Sequence, residues 1–113
     1  MSAAVKDLPP QVRGMRQEDV PAVAALEAAA YEFPWSAGIF RDCLLAGYTA
    51  EVLEGDGELA GYAVMSVAAG EAHLLNICLA HHLRGQGIAR RLLQHMLGLA
   101  GQAGAERVYL EVR

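Results

Sequence analysis

Leu79-Ala80-His81-His82-Leu83-Arg84-Gly85-Gln86-Gly87-Ile88-Ala89-Arg90-Arg91 runs from an apolar segment, through a turn bearing two glycines, into a stretch with helical spacing. On its upstream side Ala72 to Leu79 is apolar, rich in Leu and Ile and too short for a typical helix, so it reads as a central strand. Downstream, Ile88, Leu92, Met96 and Leu99 recur at helical spacing, with Leu93, Leu97 and Ala100 beside them. That stripe predicts a helix from Ile88 to about Gln102, packed on a sheet and stopped by Gly101 to Gly104. From Glu106 to Arg113 the pattern returns to alternation, with Val108, Leu110 and Val112 on one face and Arg107, Tyr109, Glu111 and Arg113 on the other. Strand, helix, strand implies a parallel pair joined by a right-handed crossover.

The N-terminal half supplies the remaining layers. Residues 1–10 form a small-residue leader ending in Pro9-Pro10 and are expected to be a flexible tail, leaving 11–113 as a single domain. Gln11 to Arg16 alternates weakly and suits a first strand; Gln17 to Pro21 gives an acidic helix start with proline in the first turn. That helix runs to about Ala30, with Val20, Val23, Ala24, Leu26, Glu27 and Ala30 on one mostly apolar face. Pro34-Trp35-Ser36 breaks the chain, and Ser36 is a suitable N-cap for a second helix carrying Ile39, Phe40, Cys43 and Leu44, ended by Gly47. Tyr48 to Glu54 and Leu59 to Ala68 read as a hairpin around Gly55-Asp56-Gly57. The order β-α-α-β-β-β-α-β is that of an α/β (α+β) domain with a mixed sheet flanked by helices.

Composition sets limits on function. A chain of 113 residues supports one core, and 54% hydrophobic residues place it among folding sequences. Nine basic against 13 acidic residues give a formal charge of -4, which excludes the broad basic footprint of a nucleic-acid binder. Cys43 and Cys78 each sit in an apolar run, as small buried hydrophobes in a reducing compartment do. No stretch approaches the roughly 18 apolar residues of a membrane span, and the N-terminus lacks a signal-peptide core. A cytoplasmic protein without membrane contact is expected. His73, His81, His82 and His95 have no pair at the i, i+4 spacing of a zinc helix, and His81 and His82 would point apart on an extended segment, so no metal is expected.

The turn at Gly85 and Gly87 has two readings: a packing turn, or an anion cradle in which small residues let a diphosphate approach the unpaired N–H groups of a helix start. It lacks the Gly-Lys-Ser/Thr ending of a P-loop, and Arg90 stands where a dinucleotide fingerprint needs its third glycine. Its spelling, Arg84-Gly85-Gln86-Gly87-Ile88-Ala89, fits Arg/Gln-x-x-Gly-x-Gly/Ala. In this it resembles the GNAT superfamily of acetyl-CoA-dependent N-acetyltransferases, whose fold has the same element order. The resemblance implies that Arg84, Gly85, Gln86, Gly87, Ile88, Ala89 and Arg90 hold the coenzyme A pyrophosphate. It also implies that the backbone of Ile77, Cys78 and Leu79 pairs with the pantetheine arm.

Three further stretches, Tyr31-Glu32-Phe33-Pro34-Trp35-Ser36, Leu75-Asn76-Ile77-Cys78-Leu79 and Leu110-Glu111-Val112-Arg113, are similar to the ribosomal-protein-alanine N-acetyltransferase (RimI) branch. The resemblance runs from Val12 to Arg113, interrupted where the family's frequent proline after the third strand is replaced by Ala80-His81-His82. It implies acetylation of the N-terminal alanine of a ribosomal small-subunit protein. It tips Glu111, otherwise an edge-exposed carboxylate, toward a general base acting on the attacking amine. Pro34 and Trp35 then become candidates for the acceptor groove, with a core plug as the other reading of Trp35. In the family, an asparagine-bearing helix and a tyrosine acid follow the Leu-Glu-Val-Arg strand, so the domain is expected to be incomplete at its C-terminus. Self-association through the exposed last strand would follow. Two alternatives stay open: a GNAT acting on a small amine or antibiotic, and an inactive CoA-binding fragment.

Overall fold

The computed structural model describes residues 11–111. Residues 1–10, expected to be a tail, and Val112 and Arg113, expected to end the last strand, lie outside them. Five strands form one sheet in the order β1-β2-β3-β4-β5: β1 (Gln11–Gly14), β2 (Thr49–Gly55), β3 (Glu58–Ala68), β4 (Glu71–Leu79) and β5 (Arg107–Leu110). All neighbouring pairs are antiparallel except β4 and β5, which are parallel. The helices are α1 (Val20–Ala30), α2 (Ala37–Leu45) and α3 (Ile88–Gln102).

Local chemistry accounts for the element ends, with small departures from the sequence pattern. β1 stops at Gly14, after which Met15 bonds through its N–H to the Ala50 carbonyl. Gln17–Asp19 is a 3-10 turn rather than the first turn of α1. The Asp19 carboxylate accepts the Arg16 N–H at 2.8 Å and a forked pair from Arg13 at 2.8 and 2.9 Å, which holds it below the usual carboxylate range. Ser36 caps α2 by accepting the Ile39 N–H. In the β2-β3 hairpin the positive φ falls on Asp56 and Gly57, the pair that a tight two-residue turn requires. His81–Leu83 is a 3-10 turn, not the extended segment the sequence suggested.

The sheet is covered on both faces. Val20 and Val23 of α1 and Phe40 and Cys43 of α2 pack on Val52, Tyr62, Val64 and Cys78. On the other face Leu92, Met96 and Ala100 of α3 pack on Ala63, Met65, Ala72 and Leu74. Ala100, not Leu99, completes the stripe, because the fourth position of an i+4 series from Ile88 falls there.

One irregularity organises β4. Its register on β3 moves from Val64↔Asn76 to Met65↔Leu74, leaving Leu75 as an extra residue. Strict alternation would keep 72, 74, 76 and 78 on one face. The bulge reverses it: Ala72 and Leu74 face α3, whereas Cys78 joins the α1 and α2 core and Asn76 reaches Glu27 of α1. β5 pairs with β4 only over Glu71 to Leu74, ending at the bulge. All four residues of β5 are exposed, Leu110 by 60%, so the half-buried face expected for that strand is not formed among the described residues.

Close approach of β3 and β4 beyond the bulge depends on Gly61. A Cβ there would lie 2.8 Å from the Cys78 carbonyl oxygen and 3.1 Å from Leu79 Cδ1. Backbone cannot yield as a flexible side-chain tip does, so Gly61→Ala should cost ~1–3 kcal/mol. Thermal denaturation would register this as a Tm lowered by roughly 4–8 °C per kcal/mol. An unchanged Tm would mean that the strands separate here freely.

Candidate functional site

The Arg84–Gly87 turn leaves β4 and delivers the chain to α3. Gly85 and Gly87 have φ of 80° and 75°, a left-handed backbone that side-chain-bearing residues seldom adopt. Open space surrounds both positions, so the demand for glycine is conformational. Gly87 is the N-cap of α3 and no side chain caps that helix. The first N–H groups of a 15-residue helix therefore point outward beside a backbone that an anion can approach. Gln86 donates through its side-chain amide to the His82 carbonyl at 3.1 Å, and Arg84 donates from Nε to the Leu79 carbonyl at 3.3 Å. Both side chains brace the turn, and Arg90 is exposed on the first turn of α3. An open depression of about 60 Å³ is lined by Leu26, Ala29 and Ala30 of α1 and by Leu79, Ala80, His81 and Arg84.

Ile77, Cys78 and Leu79 occupy β4 past the point where β5 stops pairing. The Ile77 carbonyl accepts the Tyr31 hydroxyl at 2.9 Å. Cys78 is buried in the core beneath α1 and α2, and that burial pushes its thiol above the ordinary range.

Pro34 is exposed and Trp35 half-buried, its ring tilted against Phe40 with centroids 5.4 Å apart. Trp35 thus packs on the core and keeps part of its surface accessible. Its backbone N–H donates at 2.8 Å to Glu27 Oε2. The other carboxylate oxygen of Glu27 accepts from the Tyr62 hydroxyl and, at 2.9 Å, from Asn76 Nδ2. Grouping Glu27 with an apolar face was right about its burial and missed this role. The available signal was a lone carboxylate among Ala, Val and Leu, and a lone amide in the apolar β4. Burial, and then the bond to Glu27, raise the Tyr62 hydroxyl well above its usual range, which keeps it a donor.

Glu111 is exposed beside the bulge, its N–H bonded to the Leu74 carbonyl at 3.0 Å. Its carboxylate pairs with His73 Nδ1, while His73 Nε2 lies 3.5 Å from Glu71 and the imidazole stacks on Tyr109 at 5.0 Å. The hydrogen bond to Glu111 raises the His73 pKa. His73 entered the sequence reading only as a metal candidate. Among the described residues, no group of three His, Cys, Asp or Glu side chains is arranged to hold a metal ion.

The model of the acetyltransferase (GNAT) family matches residues 14–113. A candidate [ribosomal protein bS18]-alanine N-acetyltransferase of Bacillus subtilis (strain 168) is 36% identical over 104 residues, covering 90% of this chain and 69% of that protein. The [ribosomal protein bS18]-alanine N-acetyltransferase of Escherichia coli (strain K12) is 31% identical over 102 residues, with the same coverage. The crystal structure of the Escherichia coli ribosomal-protein-S18-alanine N-acetyltransferase superposes with a TM-score of 0.83 at 29% identity, covering 89% of this chain and 65% of that one. This chain therefore spans about two thirds of the length of these relatives. With a family match over residues 14–113 and relatives above 30% identity across 90% of its length, the chain belongs to the GNAT acetyltransferase family, in its ribosomal-protein-alanine N-acetyltransferase branch.

Proposed function

We propose that this protein transfers the acetyl group of acetyl-CoA to the N-terminal alanine of ribosomal protein bS18. The observation that carries this reading is likeness to proteins assigned that reaction across 90% of the chain. Acetyl-CoA is the acyl donor of the family, and the residues present suit it. The uncapped start of α3 suits a diphosphate, with left-handed Gly85 and Gly87 admitting it and Arg90 adding charge. Arg84 and Gln86 hold the turn that presents those groups.

Bound acetyl-CoA would supply a thioester carbonyl to which the neutral amine adds; the C–S bond then breaks, and the departing thiolate takes up the proton that the new amide nitrogen sheds. Ile77, Cys78 and Leu79 would line the pantetheine arm along the open part of β4, and a strand N–H near Cys78 would receive the developing oxyanion. A terminal ammonium has a pKa of roughly 7.7–8.0 and must lose a proton before it attacks. Glu111 would accept that proton, directly or through water. Pro34 and Trp35 would form one wall of the acceptor groove. No described helix is long and apolar enough to cross a membrane. We place the reaction in the cytoplasm, where ribosomal proteins are made.

Acetyl transfer to a bS18 N-terminal peptide, compared with transfer to small amines and aminoglycosides, tests the reading. Peptide acetylation is expected. Acetylation of amines alone, or CoA binding without any transfer, would overturn it.

Gly87→Glu places bulk and negative charge at the cradle and should weaken CoA binding by at least tenfold, about 1.4 kcal/mol, in calorimetry. Unchanged affinity in the folded variant would remove the site assignment. Glu111→Gln should lower kcat by roughly 10² to 10⁴ while CoA affinity is kept.

His73 gives this region a pH signature. Its pairing with Glu111 raises its pKa, so the pairing and its contribution to stability are fully present below the ordinary histidine value of 6.5. They are lost as pH rises through the raised value, and the Glu111 carboxylate is then released from the cation. NMR titration of His73 should give a midpoint above 6.5 that falls toward it in Glu111→Gln. The kcat/KM of the unsubstituted protein should rise through the same midpoint. A midpoint indifferent to Glu111→Gln would show that the two side chains do not interact in solution.

A further inference from the structure

The Glu27 carboxylate is fully buried and stands between the two halves of the proposed site. Oε2 takes a backbone N–H from Trp35, in the break between α1 and α2. Oε1 takes the Tyr62 hydroxyl of β3 and the Asn76 amide of β4. Tyr62 and Asn76 are themselves buried, 0% and 2% exposed. Asn76 is the first residue past the bulge. Its neighbour Ile77 is held by the hydroxyl of Tyr31, the residue that follows α1. The helix and the residue that ends it therefore grip two successive residues of the open strand segment, through Glu27 and through Tyr31.

Burying a carboxylate against three donors is a poor way to add stability, since an apolar side chain of similar volume often does as well. A carboxylate fixes geometry instead: its two oxygens set the distance between a loop N–H on one side and two sheet side chains on the other. We propose that Glu27 is a positioning residue that holds the Pro34-Trp35-Ser36 segment in register with β4, so that the acceptor peptide meets one groove shape beside the thioester. This rests on the acetyltransferase reading above and adds to it a determinant of acceptor affinity lying outside the groove.

Trp35 is the only tryptophan, so its emission reports the segment directly. In Glu27→Gln the side chain can no longer present acceptors to the loop and the sheet together without an amide donor facing one of them. Its Trp35 emission should shift to longer wavelength. Its KM for the bS18 peptide should rise by at least tenfold, about 1.4 kcal/mol, while CoA affinity changes less than about twofold. Tyr62→Phe, which keeps the ring and removes one donor, should raise peptide KM by a smaller factor with CoA affinity unchanged. It serves as the test if Glu27→Gln does not fold.

A folded Glu27→Gln with unshifted Trp35 emission, or with unchanged peptide KM whatever its Tm, would overturn the proposal. Equal losses of peptide and CoA affinity would overturn it as well, since a general structural defect does not separate the two ligands. Failure of the acetyltransferase reading would appear differently, as no peptide acetylation by the unsubstituted protein. The emission comparison would still decide whether Glu27 holds the loop.

Discussion

The extra residue at Leu75 is the constraint on which the other features depend. Without it, one face of β4 would carry Ala72, Leu74, Asn76 and Cys78 against a single helical layer, and the amide would be buried beneath α3 without Glu27 to receive it. With it, the first half of the strand serves the α3 core and the second half serves α1 and α2. The bulge also coincides with the end of pairing to β5. One strand therefore changes its face and its helical partner and loses its neighbour β5 at one point, and the proposed pantetheine contacts fall on the segment beyond it.

The α1 layer answers this change with polar contacts. Glu27 and Tyr31, one helical turn apart, each reach β4, one to a side chain and the other to a carbonyl. Gly61 permits the matching approach from β3, because no side chain separates it from the Cys78 carbonyl. The segment is held from a helix on one side and a neighbouring strand on the other, and each hold depends on a particular residue type rather than on bulk hydrophobicity.

Much of this was legible in the sequence because it follows from periodicity and turn chemistry. The bounds of α3, the Ser36 cap, the hairpin at Asp56-Gly57 and the two glycines before α3 each have a local cause. The β4 bulge does not, since its apolar run has the same composition on both faces and alternation alone cannot place an extra residue. Glu27 was visible as an oddity, but its partners lie 8, 35 and 49 residues away, beyond any local pattern. The pairing of His73 with Glu111 was hidden for the same reason, since it arises from the register of a parallel pair. Expected burial of β5 failed where an edge strand has no described element over it.

The two ends of the proposed site are built from different kinds of charge. At the start of α3 the positive potential comes mainly from aligned peptide groups, which have no proton to gain or lose near neutrality. At the β5 end the charge resides on an imidazole paired with a carboxylate, and that pairing raises the pKa of the imidazole. On the proposed reading, the cradle for the donor would keep its potential as pH changes, whereas the pairing at the other end of the site would not.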